Sequence, residues 1–178
     1  IYPDGFLPLI SPTVKDFSAT GGVTWVAGAW DMDASLGYGK NKMEYTIENT
    51  LNRSLGPTSK TAFYAGGYSY DQAVLNLTGV RSVEMASFSS PLNVAVGIEA
   101  RREGYELFAG EEQSYSFGGA LLPNGTPTAP GAQVFPGFRP SNEVDAHRNA
   151  IGAFIDLEAN VTPELLASVA VRGERYSD

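Results

Sequence analysis

The sequence predicts an all-β chain, an antiparallel meander of about six long strands. Three observations carry that prediction. Apolar and polar residues alternate with a period of two in several segments, which puts successive side chains on opposite faces of an extended chain. Glycine and proline mark the breaks, with 20 Gly and 11 Pro in 178 residues. No apolar run approaches the roughly 18 residues that a membrane-spanning helix needs.

Residues 17–26 place Phe17, Ala19, Gly21, Val23 and Trp25 on one face, and Ser18, Thr20, Gly22 and Thr24 on the other. A tight Ala27–Gly28–Ala29 turn follows. Residues 30–49 read either as one long strand, with a bulge near Gly39 where the apolar phase slips, or as a hairpin turning there. Residues 51–67, rich in Gly, Ser and Thr, form a loop. Alternation resumes over 68–84, with Ala73, Leu75, Leu77 and Gly79 on one face. After a turn at Ser87–Pro91, residues 92–108 set Leu92, Val94, Val96 and Ile98 against Asn93, Gly97, Glu99 and Arg101.

Residues 109–145 carry five prolines and no periodic segment, and a loop of that length inside a domain is expected to be functional. Ile151, Ala153, Ile155 and Leu157 then share a face of 148–159. The turn Asn160–Pro163 leads into 164–177, where Leu165, Ala167, Val169 and Val171 oppose Leu166, Ser168, Ala170, Arg172 and Glu174. With 30–49 as one strand, short and long connections alternate. All short ones then lie at one end, as in an outer-membrane barrel. Trp25, Trp30, Tyr105, Phe108 and Tyr176 near strand ends suit an interfacial girdle. A soluble antiparallel sandwich also alternates, and the pattern alone leaves both open.

Composition narrows the chemistry. There is no cysteine, so disulfides and thiolate metal sites are excluded, and the single His147 excludes a two-imidazole site. A net charge of −8 without a basic stripe argues against nucleic acid. The N-terminal IYPDGFLPLI lacks the organisation of a signal peptide, and the chain reads as a piece of something longer.

Six phrases add a resemblance. They are YPDGFLPLI (2–10), WDMDASLGYGKN (30–41), NTLNRSLGPTSKTAFYAGG (49–67), SPLNVAVGIEARREGYELFAGEEQSY (90–115), PGAQVFPGFRPSNEVDAHRNAIGAFIDLEANVT (130–162) and VRGERYSD (171–178). In this order they resemble the β-barrel of TonB-dependent receptors, over nearly the whole chain. Trp25 departs from the small residue that members often carry. The resemblance implies a Gram-negative outer-membrane transporter whose barrel has 22 strands around a plug domain. Residues 1–178 would be a partial barrel domain, incomplete on its own, with the plug and the remaining strands absent. It also implies nutrient uptake (siderophore, cobalamin or saccharide) energised through the plug by the TonB system. The implied partners are that system, outer-membrane lipid and the small-molecule ligand. About eight strands are the fewest that close a transmembrane barrel. An isolated six-strand piece is therefore expected to self-associate through its edges.

Catalytic and metal constellations fail on inspection. Asp31, Asp33 and Ser35 begin like a calcium loop, but Leu36 and Lys42 stand where glycine and glutamate are required. Gly37-Tyr38-Gly39 lacks the third glycine of a dinucleotide loop. The carboxylate pairs Glu111/Glu112, Asp156/Glu158 and Glu99/Glu103 have nothing to orient an acid against a base. His147 has no G-x-S-x-G partner. The expectation is no enzyme, no cofactor and no metal.

The remaining candidates bind. In the barrel frame Glu99, Arg101, Asp156, Glu158, Arg172 and Glu174 face the lumen, pairing with one another, contacting the plug or lining the ligand route. Tyr115, Phe117, Phe135, Phe138 and Arg139 suit either stacking on a sugar or planar chelate, or anchoring the loop. The alternative from another class is a soluble carbohydrate-binding β-sandwich or adhesin module; a third is an all-β glycosidase. Leu165, Val169, Val171 and Val96 discriminate, since a sandwich buries them and a barrel turns them to lipid.

Overall fold

The computed structural model describes residues 1–178. Six strands form one antiparallel sheet in chain order: β1 (Leu9–Ala27), β2 (Trp30–Glu48), β3 (Phe63–Val83), β4 (Leu92–Phe108), β5 (Val144–Thr162) and β6 (Leu165–Tyr176). The all-β meander is therefore as expected. Residues 30–48 form a single strand, which resolves the two readings of that segment. The strands β1, β3 and β5 run several residues further toward the long-connection end than their alternation shows, so that 63–67, expected as loop, belong to β3. By internal contacts the chain divides into two units. One comprises 1–17, 40–70 and 104–146, the loop end; the other comprises 18–39, 71–103 and 147–178, the turn end.

At the turn end, connections are tight. Gly28 and Ala29 alone join β1 to β2, with Gly28 at φ +66° and Ala29 outside the positive-φ region, the pattern of a type II′ hairpin turn. Pro163 and Glu164 alone join β5 to β6. The β5–β6 register pairs Ile155 with Val171, Leu157 with Val169 and Ala159 with Ala167, so these share a face. Gly22 lies against Ser35 and Gly37 against Thr20, which puts the polar residues of β1 and β2 together and leaves Val23 with Ala34 and Leu36. Gly79 packs on Met32 and Trp30, and Ala34, Leu75, Leu77, Ile98, Ala100 and Ile151 border one shallow groove.

The apolar faces of all six strands thus coincide and lie largely uncovered, with Ala159 buried near Met85 and Phe88. Val23, Leu36, Ile98, Ile151 and Val171 are 64, 59, 53, 61 and 63% exposed. Leu165 and Val169 are likewise more than half exposed, while Val96 is half-buried. Each such side chain forgoes about 1.5–3 kcal/mol of burial in water. The chain leaves 11,099 Å² accessible, against roughly 8,400 Å² for a folded monomer of its mass.

A buried core cluster lies instead at the loop end, where Ile47, Phe63, Ala65 and Ala132 are buried with Tyr45 and Phe135 against them. Here the in/out phase reverses, and the cause is not a bulge at Gly39. Thr20 meets Gly37, and Asn41 donates to Asp16 at 2.6 Å, so one register runs through Gly39. The inserted residue is in β3, at Gly66 (φ +86°). Before it, Phe63 and Ala65 side with Ile47, and Tyr64 reaches Glu44 on the other face; after it, Tyr68 meets the Tyr45 ring at 6.3 Å. Only glycine fits there, because a Cβ would stand 2.5 Å from the Phe108 carbonyl oxygen.

The segment 109–143 is built onto this core. Glu111 N–H donates to the Tyr64 carbonyl and Phe138 N–H to the Ala65 carbonyl, both at 2.9 Å. Short 3₁₀ turns form at Glu112–Ser114 and Pro140–Asn142, and residues 120–128 fold back as a small hairpin. Asn52, fully buried, ties the two long connections. Its Nδ2 donates to the carbonyls of Gln113 and Ser116, both at 2.9 Å; its Oδ1 accepts from Ser54 N–H (3.1 Å) and Ser54 Oγ (2.6 Å). That uses all four hydrogen-bonding positions of the amide.

Asn52→Ala strips the buried Ser54 N–H of its acceptor and takes one donor each from the carbonyls of Gln113 and Ser116. The expected loss is about 2–5 kcal/mol of stability, read by denaturant unfolding. Asn124→Ala, in the exposed hairpin tip, is expected to change stability by less than about 1 kcal/mol.

Candidate functional site

The polar face at the turn end carries a ladder of charges across β4, β5 and β6. Strand pairing sets it up: Phe154 stands opposite Arg172, Gly152 opposite Glu174 and Ala150 opposite Tyr176. Two glycines make the room. A Cβ on Gly152 would meet Glu174 Cγ at 2.9 Å and the Arg172 guanidinium at 3.2 Å, and the Phe154 ring occupies the space above Gly97. Arg172 then bridges Glu174 at 2.7 Å and Glu99 at 3.2 Å.

Arg101 sits between Glu99 (3.6 Å), Glu103 (3.8 Å) and Glu174 (3.7 Å), and donates to the Tyr176 hydroxyl at 3.0 Å. Arg148 holds Glu103 at 2.6 Å and lies over the Tyr176 ring, 4.9 Å from its centre. Glu99, Arg101, Arg172 and Glu174 are therefore brought together. Three arginines and three glutamates neutralise one another around Tyr176. Asp156 and Glu158 share the face but lie closer to the β5–β6 turn, outside the ladder. Sequence reading missed Arg148 as a member. Its signal was parity: residue 148 shares the face of 150, 152 and 154.

Tyr176 and Tyr105 are corrected from their girdle assignment. Tyr176 serves the charged ladder, and Tyr105 stacks on Tyr68 at 6.3 Å. The turn-end unit keeps Trp25, Trp30 and Tyr38 on the apolar face.

The loop candidates divide into two groups. Phe135 and Phe138 are anchors: their rings meet edge-on at 5.6 Å, and Phe135 lies 5.5 Å and Phe138 6.5 Å from Tyr45. Tyr115, Phe117 and Arg139, with Pro130, Pro140 and Ser141, line a separate open cleft of about 400 Å³. Pro140 opens a short 3₁₀ turn, and Asn142 Oδ1 accepts from the Arg139 N–H at 2.9 Å. The backbone of Arg139 is thus fixed, whereas its guanidinium has no carboxylate partner. Two ring faces and a free guanidinium suit a flat molecule that bears an anionic group.

At the loop end of β2 and β3, Glu44 takes the Lys42 ammonium at 3.0 Å and a hydrogen bond from Tyr64 Oη at 3.1 Å. The Lys42 bond, assisted by Tyr64, holds the Glu44 carboxyl below its usual range despite some desolvation. Burial first, then the hydrogen bond to Glu44 and its charge, push the Tyr64 phenol up to about 12.

No group of three or more His, Cys, Asp or Glu side chains is placed to hold a metal ion. Asn52-Arg53-Ser54 has the form of a glycosylation sequon, and burial of Asn52 closes it to modification in the folded chain. A scan against models of known protein families finds no match, and neither does a search of curated proteins.

Removing the ladder's centre with Arg101→Met leaves Glu99, Glu103 and Glu174 without their shared cation. The expected cost is about 1–3 kcal/mol, smaller at high salt, measured by urea unfolding at two ionic strengths. The Tyr64 shift fixes a pH dependence. Its folded pKa, about 12, exceeds the ordinary tyrosine value of 10.0. The contribution is thus complete below pH 10 and lost as pH rises toward 12. Ultraviolet titration is expected to lose one late-ionising tyrosine in Tyr64→Phe.

Proposed function

We propose that this chain is a section of the wall of a TonB-dependent receptor barrel in a Gram-negative outer membrane, working in energised nutrient uptake. One observation carries the reading. On every strand the face that is apolar holds four to six successive apolar or glycine positions, and a polar or charged residue ends the run on the loop side. In β1 the run is 17–25, closed by Lys15; in β2 it is 30–38, closed by Lys40; in β3, 73–79, closed by Asp71. In β4 it is 92–100, closed by Arg102; in β5, 151–161, closed by Asn149; in β6, 165–173, closed by Arg175.

Five of these runs match the 9–11 residues with which a tilted strand crosses lipid, and the β3 run, seven residues, is shorter. Phe17 to Trp25, and Trp30 to Tyr38, each span about 26 Å along the strand at roughly 3.3 Å per residue. Aromatic residues at both limits of an apolar band are what the two interfaces favour. The opposite face, with its Glu/Arg ladder, suits a water-filled interior. Of the nutrient classes that such receptors carry, the loop cleft at Tyr115, Phe117 and Arg139 favours a flat, anion-bearing ligand. No family model matches, so the family assignment leans on the phrase resemblance and this face pattern together.

The chain has no cysteine, which permits a clean test with single-cysteine variants in native membranes. Val23→Cys, Leu36→Cys, Ile98→Cys and Val169→Cys are expected to react with a lipid-soluble maleimide. They should resist a charged, water-soluble one; Ser35→Cys and Ser168→Cys should show the reverse. Equal reaction of both sets with the charged reagent, or recovery of the protein in the aqueous fraction, rejects the barrel and returns the soluble carbohydrate-binding sandwich.

A further inference from the structure

We propose that Asn124 is a site of spontaneous deamidation, in which the Gly125 nitrogen attacks the Asn124 side-chain amide while Thr126 holds the amide oxygen. The site lies within the small hairpin 120–128 and does not depend on the barrel reading. The sequence supplies the first condition. The attacking nitrogen belongs to the next residue, so a side chain there stands in its way. Among the asparagines, Asn124 alone precedes glycine; the others precede larger residues, from Ala150 after Asn149 to Arg53 after Asn52.

The fold supplies the rest. Leu122 N–H donates to the Thr126 carbonyl at 2.7 Å, and Gly125 N–H to the Leu122 carbonyl at 2.8 Å. These bonds close a three-residue loop, Pro123–Asn124–Gly125, with Gly125 at φ +80° as the left-handed residue that such loops carry. Residues 123–127 are all exposed, and a Cβ on Gly125 would meet nothing within 4 Å. A ring can therefore form there, and water can reach it.

The Asn124 side chain is already folded along the chain. Its Oδ1 accepts from Thr126 N–H at 3.1 Å and from Thr126 Oγ1 at 2.7 Å, which lays the amide alongside the Gly125 peptide. When the Gly125 nitrogen adds to Cγ, negative charge develops on Oδ1, and two donors stand at that oxygen. Gly125 N–H must first leave the Leu122 carbonyl. That bond lies at an exposed tip, which opens without disturbing the hairpin base. There Thr128 is buried, and Ala120 N–H is tied to the Ser54 carbonyl at 3.0 Å.

A base takes the Gly125 N–H proton and the N–Cγ bond forms. The Cγ–Nδ2 bond then breaks, and the departing nitrogen takes up a proton and leaves as ammonia. Water opens the resulting succinimide at either carbonyl. One product is aspartate; the other is isoaspartate, whose backbone runs through the former side chain. Both add a negative charge to a chain that already carries −8. Isoaspartate also lengthens the loop by a methylene and breaks the turn between Leu122 and Gly125.

The test uses the intact, folded protein that carries this chain, held in mildly alkaline buffer and digested at intervals for peptide mass spectrometry. Fragmentation is expected to place the mass gain of an amide-to-acid exchange at Asn124, with Asn142 and Asn149 unchanged. The same peptide is expected to become a substrate for an isoaspartyl methyltransferase. Gly125→Ala is expected to suppress the gain. Thr126→Val, which removes the hydroxyl donor, is expected to slow it about fivefold, the worth of one hydrogen bond; Thr126→Ser restores the rate. No gain at Asn124, or an equal gain at Asn142 and Asn149, overturns the proposal. So does a rate that is unchanged or faster in Thr126→Val, which marks the Thr126 contacts as idle or protective.

Discussion

The two-residue period of a paired strand is the constraint on which everything else in this molecule depends. Once β5 is paired to β6 with Ile155 opposite Val171, every other side chain on both strands has its face assigned. A slip of one residue would send the aliphatic row of β6 to the side of Glu99 and Arg101. The charged ladder resists such a slip as firmly as the aliphatic row does. Arg172 and Glu174 meet Glu99 and Arg101 only in this register. The two faces are thus one device, each fixing the other.

The same period explains a change of code within a single strand. In β2 the even positions 30–38 are apolar, and beyond Gly39 the odd positions Tyr45 and Ile47 take over. The strand does not slip; its surroundings change. Along the turn end the side away from the ladder is the greasy one. At the loop end Tyr45 and Ile47 pack with Phe63, Ala65, Ala132 and Phe135. The inserted residue at Gly66 shifts β3 so that its first residues join this second core. Glycine is needed because the Phe108 carbonyl passes too close for any Cβ. The loop end therefore has a water-excluding core of its own, tied by Asn52, whereas the turn end has an apolar face and no core beneath it.

Much of this was legible in particular residues. Alternation at 92–108 marked β4 to the residue, and the faces of β5 and β6 were assigned correctly from Ile151, Ile155, Val169 and Val171. The aliphatic positions chosen to discriminate a barrel from a sandwich are uncovered at Leu165, Val169 and Val171. What misled was the assumption that apolar residues on one strand must share one face. That assumption invented a bulge at Gly39 and missed the one at Gly66. Tyr105 and Tyr176 were misplaced for a related reason: an aromatic near a strand end belongs to a girdle only if its parity agrees.

By itself, the sequence determined the strands, their antiparallel order and the two faces at the turn end. Each of these follows from neighbours one or two residues apart. The tertiary structure alone decided which of the loop aromatics are anchors and which line a cleft. It also decided that Arg148 completes the charge ladder and that Asn52 ties the two long connections. These are contacts between residues tens of positions apart. Their partners are set by register across strands and by the path of 109–143 over the 49–65 segment. Local alternation carries no information about either, because a period of two says which face a side chain takes and not whom it meets there.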